Sequence, residues 1–197
     1  MALLERRDER RLVAEAAVVL SERRDQLARA LLEATRALEN LHAECDVALA
    51  QARTAFRRAV LRHGFYGLAP RAARTRAAQA AWGQVNYLGV SLIEALPAAS
   101  LEEGEPEDPG GSIEYAGALR AMVRLMVAIE SLAPAENNVR RLTDTFRRTQ
   151  RRVNALEHVL LPEIHADIRR IEDAMDEIER DALVRTRRAG RSVKGEG

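Results

Sequence analysis

The sequence predicts a mainly α-helical protein: a long antiparallel two-helix coiled coil whose N- and C-terminal helices are joined by a small middle head. The head is expected to hold a short β-hairpin and a short helix. All eleven glycines lie between Gly64 and Gly117 or from Gly190 onward. Because glycine is costly inside helices and useful in turns, this placement predicts two long helical arms around an irregular centre. A composition rich in Ala, Leu, Arg and Glu, with 4% aromatic residues, is also typical of coiled coils.

The N-terminal arm, residues 1–63, carries a heptad pattern. The d series is Leu20, Leu27, Ala34, Leu41, Ala48 and Ala55, and the a series is Arg24, Leu31, Leu38, Cys45, Ala52 and Ala59. This alternating four–three spacing, with Arg24 as its one polar member, predicts the seam of a coiled coil. The far half of the seam, from Ala48 to Ala59, is built from alanine, which lets a partner helix approach closely.

The middle segment, residues 64–117, contains nearly all the turn-forming residues. Two runs, 85–87 and 90–92, alternate around Gly89 and predict a β-hairpin in which Gly89 forms a bulge. The alternation of Ile113 and Tyr115 suggests a further strand. Residues 102–111 read as an acidic, flexible and solvated turn, and residues 71–81 as a short alanine-rich helix.

The C-terminal arm, residues 118–189, repeats the heptad pattern before a flexible tail at 190–197. Its helix is expected from about Pro134 to Arg188. The seam residues are Leu142, Phe146, Thr149, Val153, Leu156 and Leu160, followed by Ile164, Ile168, Ile171, Met175 and Ile178. The steps from Leu160 to Ile164 and on to Ile168 are four plus four, which is a stutter that changes the supercoil locally. Pro162 lies at the slip, and a proline inside a helix removes a hydrogen bond, so we expect a structural bend near Pro162.

The charge balance excludes some classes of function. The chain has 31 basic and 30 acidic residues, so its net charge argues against a polyanionic partner such as nucleic acid. Cys45 is the single cysteine, so no intrachain disulfide can form, which fits a reducing compartment. The charged N-terminus leaves no room for a signal peptide, and no stretch approaches the roughly 20 apolar residues that span a bilayer. We therefore expect a soluble protein that is held by partners if it works at a membrane.

No motif predicts catalysis. Glycine-rich phosphate loops, zinc-binding helices and nucleophile elbows are absent from the sequence, so we expect no catalytic residue, cofactor or metal. His158, Glu163 and His165 lie close in sequence, but surface histidines are the default interpretation and no fourth ligand accompanies them. Cys45 is interpreted as a small core residue of the seam. These features favour a scaffold or shaft over an enzyme with a pocket.

Paired arginines recur along both arms and usually form a solvated helical face. One group is more specific because its polar residues are spaced by four, three and four. This polar stripe consists of Arg147, Arg151, Asn154 and His158, and it should lie on the outside of the helix, away from Val153 and Leu156. A shaft that must hold a partner would do so through such a stripe.

The segment 149–162 closely resembles the signature of the D subunit of the V-type and A-type ATPases, which reads T-x-R-R-V-N-A-L-E-x-V-x-I-P. Residues 151–157 match it without interruption, with Thr149 two residues before and Pro162 five residues after them. Residues 20–27 are similar to the family's L-K-x-K-R-D-x-L, and residues 86–90 to its N-x-x-G-V strand. Residues 178–181, followed by three arginines, are similar to its terminal segment. Residues 182–184 depart from the family, which has an aromatic-containing stretch there.

The resemblance implies a central rotor shaft whose paired terminal helices stand inside a hexamer of alternating A and B subunits. The middle segment would point toward the F subunit and the adaptor on the proteolipid ring, on the cytoplasmic face of the membrane. The shaft would couple ATP hydrolysis or synthesis to proton or sodium transport. Candidates for the hexamer contact are the tip arginines Arg6, Arg7, Arg10, Arg180, Arg185, Arg187 and Arg188. The polar stripe is the candidate surface for the F subunit or for torque.

Two other interpretations fit the helical pattern. A non-rotary coiled-coil scaffold explains the heptads equally well, and a secretion-stalk protein would share the hairpin shape. Neither explains the match at residues 151–157. Bound partners would separate the three hypotheses.

Overall fold

The computed structural model describes residues 1–72, 81–96 and 112–193, with side chains at all of these except 69–72, 95, 96 and 188–193. The elements are α1 (Ala2–Ala72), β1 (Ala81–Tyr87), β2 (Val90–Leu96), α2 (Ile113–Ala155), a π-helical turn (Leu156–Leu160) and α3 (Leu161–Val193). The prediction of a mainly α fold with two long helical arms and a small antiparallel hairpin is confirmed. The predicted short helix at 71–81 and the acidic turn at 102–111 lie largely or wholly outside the described residues.

Helix α1 follows the predicted seam closely. Every a and d position from Leu20 to Ala59 is buried or half-buried, and Leu27 and Ala59 have no exposed surface. The helix is broken at Gly64, whose φ of 69° and ψ of 162° are non-helical, and it then resumes to Ala72. Only glycine adopts this backbone conformation readily, because a Cβ atom strains it. The division of the chain into domains at residues 63, 117 and 189 stays a prediction.

The chain forms two compact units, which are described separately. The second unit, Gln26–Phe146, pairs α1 with α2 in antiparallel fashion. Leu27 packs with Leu142 in one cluster, and Ala52 packs with Ala121 and Leu125 in another. The two helices therefore run in opposite directions, because residue numbers fall along α2 where they rise along α1. The alanine-rich seam lies at the second cluster, where Cys45, Ala48 and Ala55 also pack.

The hairpin belongs to the second unit. Its two-residue turn has positive φ at both Leu88 (51°) and Gly89 (74°), which is the type I′ geometry that matches the twist of paired strands. The prediction that Gly89 forms a bulge is therefore wrong, since the strands pair residue for residue from Tyr87↔Val90 outward. Val90 of β2 is buried against Leu27 and Leu142, so the hairpin contributes to the helical core.

The start of α2 corrects two further predictions. Ile113 and Tyr115 are helical rather than strand residues, because Ser112 caps the helix. Its Oγ accepts from Tyr115 N–H at 3.3 Å and its carbonyl from Ala116 N–H at 3.0 Å. The arm's helix thus begins at Ile113 instead of near Pro134. Pro134 is buried inside α2, where packing of the helix outweighs the lost hydrogen bond.

The first unit, Met1–Asp25 with Arg147–Gly197, contains the start of α1, the end of α2, the π-helical turn and α3. Its buried residues include Ala17, Val153, Ile164 and Ile168. In the π-helical turn Leu161 N–H donates to Leu156 O, five residues back. This wider turn takes up the one-residue slip in the heptad pattern, so that Ile164 and Ile168 reach the core. The π turn lies at the predicted stutter, and the change of supercoil stays a prediction.

Candidate interaction surfaces

The tip arginines fall into two groups in the first unit. Arg6 and Arg7 join the start of α1 to α3, because Arg6 Nη2 lies 3.4 Å from Asp167 and Arg7 Nη2 lies 2.6 Å from Glu172. Hydrogen bonding to Glu9, followed by the charges of Glu9 and Asp167, raises the pKa of Arg6 above its ordinary value. These two arginines are therefore already engaged within the chain.

The other tip arginines point to solvent. Arg10, Arg180, Arg185 and Arg187 are exposed, and the side chain of Arg188 lies outside the described residues. Arg185 Nε donates to the carbonyl of Asp181 at 3.3 Å. The ion pairs of Arg6 and Arg7 reach Asp167 and Glu172 of α3, and none among the described side chains reaches residues 180–187. The set is better divided into Arg6 and Arg7, which are ion-paired with α3, and an outward group, which makes no ion pair with a described residue. The outward group with described side chains is Arg10, Arg180, Arg185 and Arg187.

The polar stripe lies on the surface as its spacing predicts. Arg147, Arg151, Asn154 and His158 are all exposed. Gln150 Nε2 donates to Asn154 Oδ1 at 2.8 Å, which fixes one amide of the stripe. His158 belongs to the π-helical turn, so its direction differs from that of an α-helical residue at the same number. Pro162 is exposed two residues beyond the end of that turn, and the bend assigned to it stays a prediction.

An apolar surface on α3 was missed as a functional feature. The sequence assigns Met175 and Ile178 to the seam, yet every described side chain from residue 173 to 187 is exposed. Ile178 is 65% exposed and Leu183 is 59% exposed. No described residue of the first unit covers these apolar side chains, and exposed apolar patches are typical of interaction sites. The apolar series Ile171, Met175 and Ile178 is visible in the sequence. Its periodicity does not show whether this chain or another protein packs against it.

A second apolar surface lies in the second unit, where α1 breaks at Gly64. An open groove of about 210 Å³ lies between α1 and α2. It is lined by Phe56, Ala59, Leu68, Tyr115, Ala118, Leu119 and Met122. Leu61, Phe65 and Tyr66 are exposed nearby in sequence, and the rings of Phe65 and Tyr66 stack edge to face at 6.5 Å. The break at Gly64 turns Leu68 inward and leaves these aromatic residues outside.

Polar contacts between α1 and α2 accompany this groove. His63 Nε2 lies 2.5 Å from Ser112 Oγ, and Ser112 Oγ donates to Glu114 at 3.3 Å. A hydrogen bond from its own backbone N–H, with smaller contributions from Ser112, Arg62 and His63, lowers the pKa of Glu114. The serine caps a helix here, so the group is structural rather than nucleophilic.

The described residues hold no group of three or more His, Cys, Asp or Glu side chains arranged to bind a metal ion. His158, Glu163 and His165 are exposed and form no such grouping. No helix within the described ranges is long and apolar enough to cross a membrane.

Comparison with known proteins identifies relatives along nearly the whole chain. Residues 2–191 match the sequence model of the family of ATP synthase D subunits. The V-type ATP synthase D subunit of Thermus thermophilus is 30% identical over 196 residues, covering 95% of this chain and 84% of the relative. The V-type ATP synthase D subunit of Anaeromyxobacter dehalogenans is 31% identical, covering 95% and 92%. An A-type ATP synthase D subunit from Methanopyrus kandleri is 34% identical over 110 residues, covering 54% of this chain and 47% of the relative.

Proposed function

Because the chain belongs to the family of ATP synthase D subunits, we propose that it is the central-stalk rotor of a V/A-type ATPase or ATP synthase. It couples ATP hydrolysis or synthesis in a hexamer of A and B subunits to ion transport through the membrane ring. The observation that carries this proposal is the pair of long helices packed along a small-residue seam in the second unit. Such a rod transmits force between partners without a nucleotide site of its own.

The partners follow from the exposed surfaces. The outward tip arginines and the apolar residues of α3, in the first unit, are the proposed contact with the A/B hexamer. The polar stripe is the proposed surface for the F subunit or for torque. The exposed aromatic residues beside the groove in the second unit are the proposed contact with the adaptor on the proteolipid ring. The protein would be peripheral, on the cytoplasmic face of the membrane.

The mechanism is a change in mechanical state rather than chemistry on this chain. ATP binding and hydrolysis would change which A/B pairs are closed, and the closed pairs would push the helical rod around. In synthesis the ring would turn the rod and force the pairs to release ATP. The one-residue slip taken up at the π-helical turn makes the two helices unlike each other, and that asymmetry lets three similar A/B pairs adopt different states.

Rotation can be observed directly. The assembled complex is fixed to a surface through its A subunits, and a bead is attached to this chain at Arg57→Cys in a Cys45→Ala background. Arg57 is exposed, lies outside the seam and belongs to none of the proposed contact surfaces, so labelling there should not disturb packing. ATP should drive unidirectional stepping of the bead. If the complexes hydrolyse ATP while the bead stays stationary, the rotor proposal is overturned and a static scaffold within the ATPase is favoured.

The tip contacts have a matched test. Replacing Arg180 and Arg187 by Gln should lower torque or ATP-driven coupling, because both residues are exposed and neither joins an ion pair with a described residue. Arg169→Gln on the same helix is the control, since Arg169 is exposed but lies outside the tip set. Unchanged torque and unchanged ATP-driven coupling in the double variant would remove these arginines from the proposed hexamer contact.

A further inference from the structure

The hairpin has two edges, and the structure covers one of them. Asn138 of α2 accepts a hydrogen bond from Ile93 N–H and donates one to Ile93 O, each at 2.7 Å. Arg141 Nη1 donates to the carbonyl of Ser91 at 2.6 Å. These side chains take the place of a neighbouring strand at both backbone groups of Ile93 and at the carbonyl of Ser91, so helix α2 occupies this part of the outer edge of β2.

The other edge, on β1, has no backbone partner among the described residues. Ile93 pairs with Gln84 and Ser91 with Asn86, and the pairs in an antiparallel ladder alternate between hydrogen-bonded and non-bonded. Because Ile93 and Ser91 turn their backbone groups away from β1, Gln84 and Asn86 turn theirs away from β2. Trp82, two residues before Gln84, also turns its backbone groups away from β2. None of these outward groups bonds to a described residue, and Gly83, Val85 and Tyr87 face inward to β2.

The edge also lacks the usual protection. Natural edge strands discourage further pairing by means of charged residues, proline, bulges or short length. Strand β1 is seven residues long and reads Ala-Trp-Gly-Gln-Val-Asn-Tyr, with neither charge nor proline, and its pairing with β2 has no bulge. A strand of this composition, with its backbone groups exposed, is suited to pair with another strand.

The apolar face of the hairpin continues past the core. Val85 and Tyr87 lie on the same face as Val90, yet they are 48% and 44% exposed, whereas Val90 is 5% exposed. On the opposite face Trp82 is 54% exposed. A third strand beside β1 would extend the sheet and cover both Val85 and Tyr87, because alternate side chains of added strands continue the existing faces.

We propose that β1 is a docking site for an extended segment of another protein of the ATPase complex, which adds a third strand to the hairpin. Its main chain bonds to the outward N–H and C=O groups of Trp82, Gln84 and Asn86. Its alternate side chains are apolar on the face of Val85 and Tyr87. The inference holds for a static scaffold as well as for a rotor, so it stands apart from the proposal of rotation.

Amide hydrogen exchange, resolved by residue, tests the docking. The full chain is compared free, at a concentration where it is monomeric, and within the assembled ATPase. The amides of Trp82, Gln84 and Asn86 should exchange fast in the free chain and at least about tenfold more slowly in the complex. The amides of Gly83, Val85 and Tyr87 are the internal control, because β2 protects them in both states. Unchanged exchange of the outward amides on assembly would overturn the proposal.

A proline variant distinguishes the loss of pairing at the outward edge of β1 from the loss of the hairpin itself. Gln84→Pro removes only an outward N–H, which edge strands tolerate, whereas Gln84→Ala keeps it. In the assembled Gln84→Pro complex, exchange at Trp82 and Asn86 should return to the rate of the free chain, and in Gln84→Ala it should stay slow. Protection at Val85 confirms that the hairpin remains, and far-ultraviolet circular dichroism confirms that the helices remain. Retained protection at Trp82 and Asn86 in the proline variant contradicts strand addition.

Two other occupants have their own signatures. Slow exchange of the outward amides in the free monomer would mean that another segment of this chain covers β1. Slow exchange that appears in the free chain only as its concentration rises would mean that a second copy pairs with the edge. Either result overturns docking by another protein of the complex.

Discussion

The side-chain amide of Asn138 reproduces a strand's hydrogen-bonding pattern on Ile93, with an N–H and a C=O each bonded at 2.7 Å. The carboxamide is suited to this because it carries a donor and an acceptor side by side. The bond pair fixes β2 to α2 at one point along the helix, next to the contact between Arg141 and Ser91. It therefore decides where the hairpin lies on the second unit.

Replacing Asn138 by Ala should loosen the hairpin. Two part-buried backbone groups of Ile93 lose their partners, which costs about 1–3 kcal/mol of unfolding free energy. Chemical denaturation of the free chain measures this loss, and exchange at Ile93 N–H should rise. Asn137→Ala is the control, because Asn137 is half-buried on the same helix and makes no such bond. Equal losses in the two variants would show that Asn138 does not hold the strand.

Gly64 and Gly67 should respond in opposite directions to alanine. Gly64 has a φ of 69°, which an L residue rarely adopts, so Gly64→Ala should cost about 1–3 kcal/mol although no atom lies within 4 Å of the added Cβ. Gly67 is helical and its added Cβ would meet only His63 Cβ at an ordinary 3.5 Å, so Gly67→Ala should stabilise by about 0.4–1 kcal/mol. Thermal unfolding of both variants gives the comparison. A stable Gly64→Ala protein would argue against the break in α1.

The alanine-rich part of the seam should reject larger side chains. Ala52 is buried against Ala121 and Leu125, so Ala52→Leu overpacks the contact and should cost about 1–3 kcal/mol. Ala50→Leu places the same side chain on the exposed face two residues away and should change stability by less than about 0.5 kcal/mol. Denaturant midpoints of the two proteins measure the difference. Similar midpoints would mean that the helices do not approach closely at Ala52.

Replacing Pro162 by Ala should weaken coupling more than it weakens assembly. Alanine restores a backbone N–H two residues beyond the π-helical turn and removes the ring that disfavours regular α-helix there. The wide turn should then be less favoured, and the asymmetry that it provides should diminish. Ions pumped per ATP hydrolysed, set against the yield of intact complex, distinguish the two effects. Glu163→Ala, at the next exposed residue, is the control, and equal losses in coupling and assembly would count against the prediction.

The heptad pattern was sufficient to predict the helical arms, because burial along a coiled coil depends only on spacing. Each seam position from Leu20 to Ala59 is withdrawn from solvent, as that spacing requires. The hairpin was also predictable, since Val85, Tyr87, Val90 and Leu92 alternate across a turn. Its bonds to Asn138 were not, because the face that α2 offers to a strand is set by tertiary packing.

Other errors have equally local causes. Ile113 and Tyr115 alternate over too few residues to separate a strand from a helix, and the cap at Ser112 decides for the helix. The slip after Leu160 is visible in the sequence, but the heptad pattern does not reveal the π turn that the structure has there. The tip arginines were grouped by charge, whereas Arg6 and Arg7 find acidic partners on α3 that only the paired helices reveal. Their role at a hexamer stays a prediction.

The burial of Val90 beside Leu27 and Leu142 has a consequence for how this chain folds. The three residues come from distant parts of the sequence, so the cluster forms only after two long loops have closed. Isolated helices and hairpins form within microseconds, and each can appear earlier than the cluster. We expect the slowest step to be the meeting of α1 and α2 around the hairpin. Burial of Val90 is then the event that reports that the second unit has finished folding.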